Sequence, residues 1–226
     1  MYLPKHFEET DVGVLHALMA AHPLSTWVTM NGGELVANHI PCMLDPARGE
    51  FGTLICHVAR ANPVWRNLET APADSLVIFQ GAEHYISPSF YPSKHEHGKV
   101  VPTWNYAVVH AHGLPRAVQD AAGVLNIVNR LTAIHEAEKV GRENRAGGPG
   151  LSGQRAVPWQ VSDAPADYIE QMLRAIVGIE IPITRLVGKW KISQNQPAAN
   201  RQGVVSGLNA LGHPEAVAMA ALVASH

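Results

Sequence analysis

Two apolar, β-branched runs at residues 76–79 and 100–109 bracket a segment punctuated by Pro88, Pro92 and Gly98, and this arrangement constrains the fold more than any other feature of the chain. The flanking runs have strand propensity, whereas the prolines and the glycine exclude helix from the connection. The expected unit is a strand-loop-strand. Its residues 84–113, HYISPSFYPSKHEHGKVVPTWNYAVVHAHG, string aromatics, lysines and histidines together with Glu96 as the single acid, which suits a ligand-facing surface.

The remaining elements follow from periodicity and turn chemistry. Residues 10–22 carry Val12, Leu15, Leu18 and Met19 at helical spacing, with Thr10 or Asp11 as cap and Pro23 as stop. A hairpin is expected from residues 27–30 and 34–44 across Asn31-Gly32-Gly33, then a strand over 51–58 and a short helix opened by Asn62-Pro63. Residues 120–139 predict a helix. Residues 141–159, GRENRAGGPGLSGQRAVPW, predict a mobile surface loop in preference to a lid. A further helix starts near Asp163 and Pro165, buries Ile169, Met172, Leu173, Ile176 and Val177, and stops at Gly178. A returning strand over 179–193 and helices over 201–211 and 214–224 complete the chain. Strands in the middle, helices late and one strand returning near the end predict an α+β domain on an antiparallel sheet or barrel. No GxGxxG follows a strand, which argues against a dinucleotide-binding unit.

A chain of 226 residues with 46% hydrophobic residues can bury a substantial core, and a single domain over 1–226 is expected. Its net charge of -2 gives no general attraction to nucleic acid, so any DNA contact must be local or made by an oligomer. Cys42 and Cys56 read as reduced core thiols. The amino terminus lacks a secretory pattern and no apolar run is long enough for a membrane span, so a soluble cytoplasmic protein without membrane partners is expected.

Three segments suit an anionic, flat, amphipathic ligand. Residues 182–213 contain no acid but include Arg185, Lys189, Lys191 and Arg201; strand alternation would put Lys189, Lys191 and Ser193 on one face, and Trp190 and Ile192 on the other. Gln194 and Asn195 extend that edge. HVARANP places His57, Arg60 and Asn62 where a strand passes into a helix, geometry able to aim Arg60 and backbone N–H groups at a phosphate. GKVVPTWN adds Lys99, Thr103, Trp104 and Asn105, although each aromatic taken alone reads first as core. The thirteen histidines include His95 with His97 and His110 with His112, but neither pair finds a third ligand at set spacing, so no metal site is expected. Ser87 and Ser89 lack a nucleophile-elbow context.

YISPSFYPSKHEHGKVVPTWNY, preceded by GTLICHVARANPVW and followed by AIVGIEIPI and GKWKISQNQ, resembles the PaiB family of FMN-binding negative transcriptional regulators, from Met1 to about Leu211. The resemblance implies an FMN-binding split β-barrel, a homodimer with FMN at the subunit interface, and a phosphate held by His57 and Arg60, with Asn62 as a weaker candidate. Within that single barrel, residues 178–211 would form the returning strand and basic edge, and 212–226 a C-terminal helix. The regulator is the leading reading, with DNA contact through the edge between Lys189 and Arg201 doubled by dimer symmetry, because no basic recognition helix is visible. An FMN-dependent oxidoreductase for a small molecule, with His57 or Tyr106 as conceivable proton donors, is the alternative; a barrel that has lost its flavin is the third reading.

Overall fold

The computed structural model describes residues 1–66, 68, 73–145 and 157–225. Its strands are β1 (Glu8–Glu9), β2 (Leu24–Asn31), β3 (Glu34–Pro41), β4 (Met43–Asp45), β5 (Thr53–Ala59), β6 (Ser75–Ile86), β7 (Thr103–Gly113), β8 (Arg116–Val118) and β9 (Ile176–Lys191). Its helices are α1 (Val12–Ala21), α2 (Ser93–His97), α3 (Ala121–Arg145), α4 (Ala166–Arg174), α5 (Ala198–Leu211) and α6 (Pro214–Ala224). The nine strands form one sheet in the order β3-β2-β6-β7-β9-β5-β4, with β1 and β8 also paired to β9. β9 pairs antiparallel with β1, β5 and β8, and β4 with β5. The architecture is α+β.

The chain divides into two compact units, and β6, β7 and β9 each contribute residues to both. The first comprises Met1–Thr26, Val77–Ala111 and Arg185–His226. Here Asp11 caps α1 by accepting from Gly13 N and Val14 N, and Leu15 and Met19 are buried. β1 lies against the far end of β9 with Glu9 opposite Gly188, where a Cβ would fall 2.2 Å from Leu15 Cδ2. α5 docks on the turn Pro88–Phe90 through its glycines: a Cβ on Gly203 would sit 2.0 Å from the Phe90 carbonyl oxygen. Asn200, buried one turn earlier, donates to Ser93 Oγ at 2.9 Å and so ties α5 to α2.

The second unit comprises Trp27–Leu76 and His112–Thr184. The β2–β3 turn places Gly32 and Gly33 at φ 60° and 87°, the left-handed pair that a tight hairpin requires. Met43 and Ile55 pack against Ile127 and Leu131 of α3, with Val118 at the margin. Cys42 and Cys56 are buried thiols not joined in a disulfide; hydrogen bonding to Cys42 and burial push the Cys56 thiol up, away from the reactive thiolate.

Arg48 forks onto Glu180 with two hydrogen bonds of 2.7 Å. The Arg48 hydrogen bond holds the Glu180 carboxyl below its ordinary value of 4.5, helped by the charges of Arg48, Arg116 and Arg130 and opposed by partial desolvation. A carboxylate with a depressed folded pKa contributes stability that is present above its unfolded value and lost as pH falls through the folded one. Glu180→Gln is therefore expected to flatten the acid limb of the stability curve below about pH 4.5, measured as urea midpoints from pH 6 to 3; an unchanged limb would assign it to other carboxylates.

Several sequence expectations are corrected. The segment after β6 does hold helix: α2 spans Ser93–His97, preceded by the Pro88–Phe90 turn, because Pro92 falls at the N-cap, where its φ of -53° is compatible, and Gly98 closes the helix at φ 66°. β6 also runs on to Ile86, so His84 is a strand residue. Finally, α4 ends at Arg174 and Ile176, Val177 and Gly178 belong to β9, opposite Ala59, Val58 and His57. Gly178 is small because a Cβ there would meet Ile127 Cδ1 at 2.5 Å. α3 extends to Arg145, into the stretch expected as loop, and residues 146–156 of that stretch lie outside the described residues.

Candidate functional site

The start of β7 and the end of β9 bring together the side chains that residues 99–105 and 189–195 contribute, all in the first unit. Lys191 Nζ donates to Thr103 Oγ1 and, at 2.8 Å, to the Trp104 carbonyl. Burial lowers its pKa below the ordinary lysine value; the nearby Tyr106 hydroxyl opposes that shift and Lys189 adds to it. Two residues further on, Asn105 Nδ2 donates to Ser193 Oγ at 2.9 Å, and both residues are buried. Ser193 sits at φ 68°, a left-handed conformation that costs a non-glycine residue about 1 kcal/mol and that the Asn105 pair stabilises.

The neighbouring candidates take different parts. Lys189 is only 7% exposed; its Nζ donates to the Tyr2 carbonyl at 3.1 Å and lies 5.8 Å and 5.2 Å from the Tyr2 and Tyr106 ring centroids. Gln194 folds back on its own strand end, accepting from Ile192 N and donating to the Trp190 carbonyl, so its amide clamps the backbone. Asn195 and Lys99 are exposed. Trp104, which composition alone assigns to the core, is 52% exposed and meets Tyr85, itself 43% exposed, edge to face at 6.1 Å between centroids. Tyr85 and Tyr2 were missed by sequence reasoning; Tyr85 was within reach, as the strand residue beside the SPSFYPSK turn, whereas Tyr2 offers no sequence signal.

His57, Arg60 and Asn62 lie in the second unit. Arg60 donates from Nε to the Arg174 carbonyl at 2.8 Å and from Nη2 to the Ile176 carbonyl at 2.9 Å, closing the C-terminal end of α4. Its backbone N–H is bonded to Ala175 O and that of Asn62 to Ala59 O, so these two amides do not point at a ligand as the strand-to-helix geometry had led us to expect. Asn62 donates to Asn38 Oδ1 and accepts from Val64 N. Desolvation lowers the His57 pKa, and its buried Nδ1 has no hydrogen-bond partner among the described residues. Beside Arg60 an open cavity of about 350 Å³ is lined by Gln119, Val124, Glu170 and Arg174.

A flavin needs an aromatic or apolar wall, a few amide, hydroxyl or amine contacts at the ring edge, and a polar or basic phosphate site. Lys191 and Thr103 beside the exposed Trp104 ring are donors of the kind a flavin ring edge takes. The α+β fold on a nine-stranded antiparallel sheet is that of the split β-barrels. Residues 1–185 match the family described as "Putative FMN-binding domain". The chain belongs to this PaiB-like FMN-binding family, and FMN is the cofactor assigned by that membership.

Its relatives include a protein of Aspergillus fumigatus, 34% identical over 94% of this chain and 92% of that one. The protease synthase and sporulation protein PAI 2 of Bacillus subtilis is 29% identical over 99% of this chain and 96% of its own. Among solved structures, the FAD and heme binding protein of Mycobacterium smegmatis superposes with a TM-score of 0.54 at 15% identity, covering 88% of this chain and 80% of that one. A flavocytochrome of Azotobacter vinelandii superposes with a TM-score of 0.50 at 16% identity, over 84% of this chain and 72% of that one. These two share the fold. Among the described residues no helix is long and apolar enough to cross a membrane.

Proposed function

We propose that this protein is a cytoplasmic, homodimeric FMN-binding negative transcriptional regulator of the PaiB type. The observation that carries the flavin part is the polar cluster of Lys191, Thr103, Asn105 and Ser193 beside a half-exposed Trp104. In this reading Lys191 and Thr103 bind the ring edge of FMN, and Trp104 and Tyr85 supply an aromatic wall that a second copy of the chain covers. Bound FMN would supply redox chemistry at its ring. The resemblance to the PaiB negative transcriptional regulators, with 29% identity to PAI 2 over 99% of this chain, favours a regulatory role.

The basic edge reads differently once Lys189 is withdrawn under Tyr2, because a buried ammonium neutralises no phosphate. DNA contact is left to Arg185 and Arg201, duplicated in the dimer. The purified protein, loaded with FMN, is expected to shift a promoter fragment from its own genomic neighbourhood, with affinity falling about tenfold or more between 50 and 200 mM salt. Flavin reduction by NADPH with multiple turnovers and no DNA shift would replace the regulator with an oxidoreductase.

A further inference from the structure

In the first unit two imidazoles from distant parts of the chain come together. His84 of β6 and His213, which precedes α6, lie 5.3 Å apart between ring centroids with planes 23° apart, and their Nε2 atoms approach to 3.5 Å. The other ring nitrogens are held by acceptors. His84 Nδ1 is 2.6 Å from the Tyr85 carbonyl oxygen, and since a carbonyl only accepts, Nδ1 carries the proton and Nε2 keeps its lone pair. His213 Nδ1 is 3.2 Å from Glu215 Oε2, and a carboxylate likewise draws the proton to Nδ1. A competing contact, Ala216 N to His213 Nδ1 at 3.4 Å, is longer and would need the other tautomer.

With both outer bonds made, two lone pairs face each other across 3.5 Å, an arrangement that is repulsive when empty and favourable around a cation. Two nitrogens at about 2.0–2.1 Å from a tetrahedral zinc ion stand roughly 3.3–3.4 Å apart, so the pair already has the required bite. A carboxylate on one ligating imidazole and a backbone carbonyl on the other are the outer partners that orient metal-binding histidines and raise their basicity. The His213 side chain is 47% exposed, which leaves an entry path from solvent. Among the described residues no group of three or more histidine, cysteine or carboxylate side chains converges on one point, so the chain offers two ligands and solvent completes the shell.

We infer that His84 and His213 form a two-histidine site for a borderline divalent transition-metal ion, with Glu215 and the Tyr85 carbonyl as its outer partners. Imidazole pairs select zinc, copper, nickel or cobalt over magnesium and calcium. The site is independent of the flavin assignment.

The test is titration of the full-length protein with Zn2+ by calorimetry and with Co2+ by visible absorbance. One ion per chain is expected, with affinity reduced at least tenfold by His84→Ala and by His213→Asn, the latter chosen because asparagine is favoured at the N-cap position that His213 occupies. Glu215→Gln should weaken binding by about tenfold through loss of the outer bond. Absence of uptake overturns the site, and so does a wild-type affinity retained by either histidine variant, since binding would then reside elsewhere among the thirteen histidines.

Discussion

Replacing Gly203 with alanine is expected to lower the melting temperature by roughly 6–12 °C, the consequence of a cost of about 3 kcal/mol in a chain of this size. The new Cβ would stand 2.0 Å from the Phe90 carbonyl oxygen, and because that atom is backbone, relief requires α5 to move off the Pro88–Phe90 turn. Moving α5 would also stretch the buried Asn200–Ser93 hydrogen bond. Gly207→Ala is the informative comparison: its Cβ would press on the Phe90 ring at 2.3 Å, a side chain that can rotate away, so a smaller loss is expected. Thermal unfolding followed by circular dichroism measures both. A Gly203→Ala shift within 2 °C would show that α5 is not docked against this turn.

Loss of FMN affinity by about 10- to 100-fold is the expected result of Lys191→Met, the range that follows from losing a charge-assisted hydrogen bond of about 1.5–3 kcal/mol. Methionine keeps the length and most of the packing of the lysine stem, so the melting temperature should change little while the ammonium that bridges Thr103 and the Trp104 carbonyl is lost. Lys191→Arg retains the charge and should recover part of the affinity. Asn105→Ala is expected to behave otherwise, destabilising the protein by leaving Ser193 in its left-handed conformation without its partner. Quenching of FMN fluorescence on titration with each variant distinguishes these outcomes. An unchanged dissociation constant in Lys191→Met would take Lys191 out of the flavin site.

Much of the fold was legible because local chemistry and the final structure agree. Asp11 caps α1, the Asn31-Gly32-Gly33 turn joins β2 to β3, and α6 spans Pro214–Ala224 as expected. The misreadings have two causes. Pro92 and Gly98 were taken as helix exclusion, yet they bound a helix of five residues, because a proline at the N-cap and a left-handed glycine at the C-cap define helix ends as readily as they break helix interiors. Ile176, Val177 and Gly178 continue a helical pattern on paper, but pairing with Val58 and its neighbours in β5 draws them into β9.

The candidate site shows the same division. That residues 182–213 lack acids, that Lys189, Lys191 and Ser193 alternate with Trp190 and Ile192, and that the family is PaiB-like were readable in the sequence alone, because charge, strand period and motif order are local properties. What each cation does was decided by tertiary packing. Lys189 is covered by Tyr2, Lys191 reaches across to β7, and Arg60 closes the end of α4, since a donor's role depends on the acceptor that another strand or helix brings to it. The approach of His84 and His213, separated by most of the chain, is likewise a product of the fold, because no spacing in sequence records which two strands or helices meet.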